Sequence, residues 1–127
     1  MSYEVLDNIV AMADEIRAGA DDSDRLGRLT DDMAAGLRQS GIIRLLQRKK
    51  YNGYEAHPRE FAETVMKTAS IYGSAGWVGG IVGVHPWQLA FADPRCRTKC
   101  WARIPIPGRH PRTCPGASRF PSTAGTG

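Results

Sequence analysis

The residues best suited to chemistry lie in one short stretch, Gly73-Ser-Ala-Gly-Trp-Val-Gly-Gly-Ile-Val-Gly-Val-His-Pro-Trp87. Trp77 and His85 stand eight residues apart, roughly two helical turns, which turns both toward one side of a helix. An indole face can cover a planar ring. An imidazole can hydrogen-bond a phenol, or take its proton near neutral pH. The interspersed glycines would let a ligand or a neighbouring backbone come close. The plainer reading of the same stretch is a tightly packed core helix, apolar all round, holding a hydrogen-bonded histidine.

Two other constellations compete with it. Cys96, Cys100, His110 and Cys114 follow the spacing C-x3-C-x9-H-x3-C, and four such ligands could close a tetrahedral zinc site. The residues between the pairs form no mini-core of the kind zinc domains need, so chance placement is expected and no metal. Arg44, Arg48, Lys49 and Lys50 cluster beside Tyr51 and Tyr54, as if to track phosphates and stack bases. No nucleic-acid-binding motif accompanies them, and the expectation is a solvated loop.

The elements that must position these residues read as helices. Tyr3 to Ala18 carries Val5, Leu6, Ile9, Val10, Met12, Ala13 and Ile16 at helical spacing. Gly19 to Asp24 reads as an acidic turn. A second helix starts at Thr30, whose hydroxyl can cap free backbone amides, with Asp31 and Asp32 favoured by the helix dipole. Met33, Ala34 and Leu37 form its inner stripe, and Gly41 ends it. A short apolar run, Ile42 to Leu46, precedes a polar turn, Gln47 to Tyr54. Pro58 suits the first turn of a third helix, with His57 or Ala56 before it. Phe61, Ala62, Val65, Met66 and Ala69 are its expected apolar face. Gly73 to Gly76 reads as a break, Trp77 to Val84 as a buried helix that stops or kinks at His85-Pro86, and Trp87 to Ala92 as a further turn or two.

Charge divides the chain. Its 127 residues hold 17 lysines and arginines and 13 aspartates and glutamates, a net of +4. Residues 1–94 hold 10 basic and 13 acidic side chains, whereas residues 95–127 hold 7 basic and none acidic, with all three cysteines and five of the eight prolines. Periodicity stops at Arg95, and a stretch of that composition cannot bury enough apolar surface to offset its ordering entropy. No run of about 18 apolar residues suggests a membrane span. The start, Met-Ser-Tyr-Glu-Val-Leu-Asp, lacks a basic region followed by an apolar one, so the cytoplasm is the expected location.

The stretches Tyr54–His57–Pro58–Phe61–Ala62 and Gly73–Trp77–His85–Pro86–Trp87 resemble the oxygenase component of two-component flavin-dependent aromatic monooxygenases. The likeness is nearest to the phenol hydroxylase of bacterial steroid degradation, and the p-hydroxyphenylacetate hydroxylases are similar. It covers residues 1–95. An acyl-CoA dehydrogenase, which shares the fold, would usually carry other residues at the Trp77 and His85 positions. The resemblance implies an all-α fold, the N-terminal helical domain of the acyl-CoA dehydrogenase fold. It also implies reduced flavin (FMN or FAD) from a separate flavin reductase, oxygen, and ortho-hydroxylation of a phenolic substrate. Trp77 would match a tryptophan lining the flavin site, and His85 the histidine that engages the substrate hydroxyl. The full-length enzyme would be a homo-oligomer, a tetramer, in which a β domain and a four-helix bundle follow.

The likeness fails near Arg97. Yet residues Thr98 to Gly108 can be written in codons that, shifted by one base, spell DEVLGEDPDTW, and Gly116 to Gly127 permit GVAVPVDGGYR, which resemble what the family carries there. Residues 96–127 are therefore expected to be an out-of-frame, disordered, non-homologous tail after a single-base deletion. The chain alone is then expected to bind no flavin, to be inactive, and to expose the apolar side of Trp77 to Val84. An acyl-CoA dehydrogenase-like piece and a small basic binding module are the alternatives.

Overall fold

The computed structural model describes residues 3–101, and among these there are helices and turns but no strand. α1 (Glu4–Ala11) and α2 (Ala13–Ala18) together make the expected first helix. They are joined by a loosened turn at Met12, where φ is −96°, and hydrogen bonds still cross it: Met12 N–H donates to the Asn8 carbonyl at 3.2 Å and Ile16 N–H to that of Met12 at 3.0 Å.

The acidic turn expected at Gly19–Asp24 is instead helical, as α3 (Ala20–Leu26). Gly19 stays right-handed, and Ser23 N–H donates to its carbonyl at 3.0 Å. The stop comes at Gly27, whose φ of +65° suits a residue without Cβ. Asp21 and Asp22 lie in the first turn of α3, where the dipole favours them.

Local chemistry sets the next boundaries where expected. α4 (Asp31–Ser40) begins with Met33 N–H donating to Thr30 Oγ1 at 3.3 Å, and ends at Gly41, whose φ is +96°. Ile42–Arg44 forms a 3-10 turn, and Ile42, Leu45 and Leu46 are buried. Lys49–Tyr51 is a second 3-10 turn within the polar segment. α5 (Pro58–Ile71) is capped by His57, whose Nδ1 accepts from Arg59 N–H at 3.1 Å.

The inner face of α5 differs from the expected one. Glu60, Thr64 and Thr68 are buried, whereas Ala62, Met66 and Ala69 are exposed, and only Phe61 and Val65 of the expected face join the core. Each threonine hydroxyl donates back one turn at 2.8 Å, Thr64 to the Glu60 carbonyl and Thr68 to that of Thr64. Their polar atoms are thereby satisfied inside the helix, and a compact methyl-bearing surface is left for packing. α5 packs chiefly against α1 and α6, around a core of Val5, Ile9, Ile16, Met33, Leu37, Ile42, Leu45 and Ala75.

α6 (Gly73–Leu89) follows α5 after one extended residue, Tyr72, at φ −154°. The break is therefore a single residue, and Gly73 to Gly76 are already helical. The Tyr72 hydroxyl donates to Asp24 Oδ1 at 2.5 Å, tying the α5–α6 corner to α3, and this bond to a carboxylate raises the tyrosine's pKa. α6 does not stop at His85-Pro86 but runs through Pro86 to Leu89. Residues Pro94–Trp101, expected to lack regular structure, form α7. The remaining tail, from residue 102, lies outside the described residues. No described helix is long and apolar enough to cross a membrane.

Close approach of α5 and α6 hinges on Gly76. A Cβ built there would lie 2.4–2.6 Å from Ala69 Cβ, Cα and N, whereas one at Gly80 would meet the Val65 methyls, the nearer at 3.2 Å. Gly76→Ala should therefore lose about 1–3 kcal/mol through forced separation of the helices. Gly80→Ala should stay within about 1 kcal/mol of the parent, because helix propensity offsets the mild crowding. Urea denaturation of the two variants measures both, and equal stabilities would refute the packing argument.

Candidate functional site

α6 carries both residues singled out for chemistry, and its two faces are unlike. Ala75, Gly76, Gly79, Gly83 and Pro86 are buried. Trp77 is 72% exposed, and Ile81, Val82, His85 and Trp87 also face outward. The expected buried helix is thus half right. Its small residues face the core, while its large apolar ones cover the outside, because neighbouring backbones approach too closely for them to fit inside. The expected exposure of the apolar side is what the structure shows.

Persistence of the helix through Pro86 places His85 within it. The His85 Nδ1 atom is hydrogen-bonded to the Ile81 carbonyl, one turn back. A carbonyl oxygen can only accept, so on the neutral ring the proton sits on Nδ1 and the Nε2 lone pair is left free. Such a nitrogen can accept a hydrogen bond from a hydroxyl, or its proton. Trp87 and Phe91 meet edge to face, with ring centroids 5.4 Å apart and an interplanar angle of 87°. This pair was not among the expected site residues, although its i, i+4 spacing is visible in the sequence.

Trp77 and His85 share the exposed outer side of α6. A cavity of about 270 Å³ is lined by Arg44, Asn52, Gly53 and Tyr54. Another, of about 520 Å³, lies over Met12, Ile16 and Met33, with Glu15, Asp22 and Asp32 at its edge. Neither includes Trp77 or His85, so this part of the fold offers those two side chains as an open wall.

The other constellations fare differently. Cys96 is exposed in α7, while His110 and Cys114 lie outside the described residues. Among the described residues no group of three or more His, Cys, Asp or Glu side chains could hold a metal. At the basic cluster the Tyr54 ring lies against Gly41, where a Cβ would come within 2.8 Å of it, and Lys50 Nζ sits 4.9 Å above the Tyr51 ring.

No protein-family model matches the chain. It is similar to the pigment production hydroxylase of Rhodococcus erythropolis, 52% identical over 125 residues, covering 98% of this chain and 32% of that protein. It is 38% identical over 91 residues to the flavin-dependent monooxygenase oxygenase subunit HsaA of Rhodococcus jostii, covering 72% of this chain and 24% of that protein. The crystal structure of the HsaA monooxygenase from Mycobacterium tuberculosis superposes with a TM-score of 0.76 at 38% identity, over 80% of this chain and 28% of that one. This chain belongs to the flavin-dependent monooxygenase oxygenase components. It corresponds to their helical N-terminal part and spans about a third or less of the relatives' length. The alignment covering 98% of this oxygenase-component chain extends into residues 96–127.

The tautomer at His85 is directly measurable. Two-bond 1H–15N correlation spectra of the neutral ring should show Nδ1 as the protonated nitrogen and Nε2 as the pyridine-like one. The reverse pattern would remove the Ile81 carbonyl from its orienting role.

Proposed function

We propose that this chain is part of an oxygenase component that hydroxylates a phenolic substrate ortho to its hydroxyl, using reduced flavin and O2 brought together with a separate flavin reductase. The observation that carries the reading is the open Nε2 of His85 on the outer face of α6, in a chain whose relatives are hydroxylases and monooxygenases. Bound reduced flavin would supply the oxygen chemistry. Trp77 suits one wall of a flavin site, since its indole is 72% exposed and free to lie against a planar ring.

In this reading His85 receives the phenol hydroxyl as a hydrogen-bond donor at Nε2 and draws its proton. Electron density on the ring carbon ortho to oxygen rises as the proton leaves, and that carbon becomes the better nucleophile. The Ile81 carbonyl holds the imidazole in the required tautomer. Ile81 and Val82 flank the histidine with apolar surface that excludes water once the face is covered.

The open wall also supports inactivity of this chain alone: among the described residues nothing encloses a flavin against Trp77 and His85 or keeps water out. The full-length enzyme in this proposal is a homotetramer whose further domains supply the rest. We propose that residues 98–127 are read one base out of frame after codon 97, supported by the two family-like strings that the shifted codons permit. The relatives' alignment through the tail weighs on the other side, and resequencing the DNA around codon 97 decides between them. A shifted reading frame without a long open continuation would sink the assignment.

Activity is tested on the frame-restored, full-length chain. Supplied with reduced FMN or FAD, air and a panel of phenols, it should release catechols, and it should leave acyl-CoA thioesters untouched. His85→Phe should lower kcat by about 10²–10⁴, the usual contribution of a positioned base. The 127-residue chain should give no turnover under the same conditions. Catechol formation by that short chain would contradict its assigned inactivity, and thioester oxidation by the long one would contradict the proposed reaction.

A further inference from the structure

The cations of residues 1–94 are not evenly spread. Residues 33–54 hold Arg38, Arg44, Arg48, Lys49 and Lys50 and no acidic side chain, whereas the rest of residues 1–94 holds 5 basic and 13 acidic ones; of these acids Glu55 reaches the loop, its Oε2 accepting from Lys49 N–H at 3.1 Å. The ion pairs among the described residues are Arg17–Asp14, Arg25–Asp22, Arg28–Asp31 and Arg59–Glu63, all outside this segment. Arg48, Lys49 and Lys50 are exposed, and Arg44 is half-buried. Arg44 lines the 270 Å³ cavity together with Asn52, Gly53 and Tyr54. Of these, Arg44 and Asn52 carry side-chain N–H groups, which donate hydrogen bonds to an oxyanion. The loop's shape is held from within: Gly53 N–H donates to the Arg48 carbonyl at 3.1 Å, Tyr54 N–H to that of Arg44 at 3.1 Å, and Glu55 N–H to that of Gln47 at 2.8 Å.

We propose that the loop 44–54 is a docking surface for an acidic segment of a partner protein, with one carboxylate entering the cavity at Arg44 and its neighbours meeting Arg48, Lys49 and Lys50. A single small anion fits the observations less well. Only one of the four cations lines the cavity, and a lone phosphate there would leave the three exposed ones unused. A run of carboxylates engages all four. Nucleic acid is also polyanionic, but its single-stranded form gains affinity from free aromatic faces. Here the Tyr54 ring is committed to Gly41, and one face of Tyr51 is covered by Lys50. Neither Trp77 nor His85 lines this cavity, so the surface would act in association and not in the reaction. Exposed cations of this kind speed encounter with an acidic partner and lose that effect as salt screens them.

The test uses the full 127-residue chain and a fluorescein-labelled deca-glutamate peptide, followed by anisotropy at low ionic strength, with amide NMR shifts locating the contact. The peptide should bind, its shifts should cluster at residues 44–54, and affinity should fall steeply with added salt. Replacing Arg44, Arg48, Lys49 and Lys50 together by glutamine should weaken binding about tenfold or more. Arg44→Lys keeps the charge and the fold yet loses the two-pronged guanidinium contact, so it should weaken binding about threefold or more. Unchanged affinity in the fourfold variant would place binding in the basic tail and overturn the proposal. Duplex DNA of matched charge binding the same loop as tightly as the peptide would overturn the choice of partner.

Discussion

Everything in this structure that bears on function depends on how closely α6 can lie against its neighbours. At Gly76 the α5 backbone occupies the space where a side chain would be, and at Gly83 the Phe61 ring and the Ile42 carbonyl do the same. Gly79 admits the Ile42 side chain at 3.0 Å. A helix seated this tightly on its small residues has one orientation about its own axis. That orientation decides which residues face out, and hence that Trp77 and His85 share the open side. The apolar side chains on that face are a consequence of the same constraint, since no room remains for them within. Their exposure is the usual mark of a surface made to be covered.

The polar interior follows a complementary logic. Where α5 meets the core, threonines take the place of aliphatic residues, and their hydroxyls bond within the helix. No partner across the interface is required of them, so the helices can approach on shape alone. Ser40 works in a similar way at the end of α4: its hydroxyl donates to the Leu37 carbonyl at 2.8 Å and accepts from Ile42 N–H at 3.3 Å. The Ile42 turn, which presses on α6, is fixed in direction by that bond.

Boundaries written in local chemistry were legible in the sequence. Thr30, Gly41, His57 and Pro58 act within a few residues of themselves, and each does what its type suggests. Features set by tertiary contact were not. Gly19 looks like a stop, but the chain continues because no left-handed residue occurs before Gly27. Met66 looks like core by spacing, yet it is 63% exposed because the α5 surface is turned toward its threonines. Pro86 looks like an end, but it lies on the buried face of α6 and the helix runs on through it to Leu89. Trp77 and His85 were found by residue type and spacing. That they share a side was legible, but not that this side faces outward, nor the carbonyl that sets the histidine tautomer, because it belongs to the backbone of Ile81.

The separation of charge within residues 1–94 has an electrical consequence. A net of −3 in this part is the sum of +5 in residues 33–54 and −8 elsewhere, so its positive charge is concentrated in one stretch of a body that is negative overall. In the field of another charged molecule such a body experiences a torque as well as a force. Toward an acidic partner it rotates to present its positive end while still about a Debye length away, roughly 8–10 Å in physiological salt. For the proposed docking, orientation then precedes contact, and the part that leads is the end of α4 with the loop that follows it.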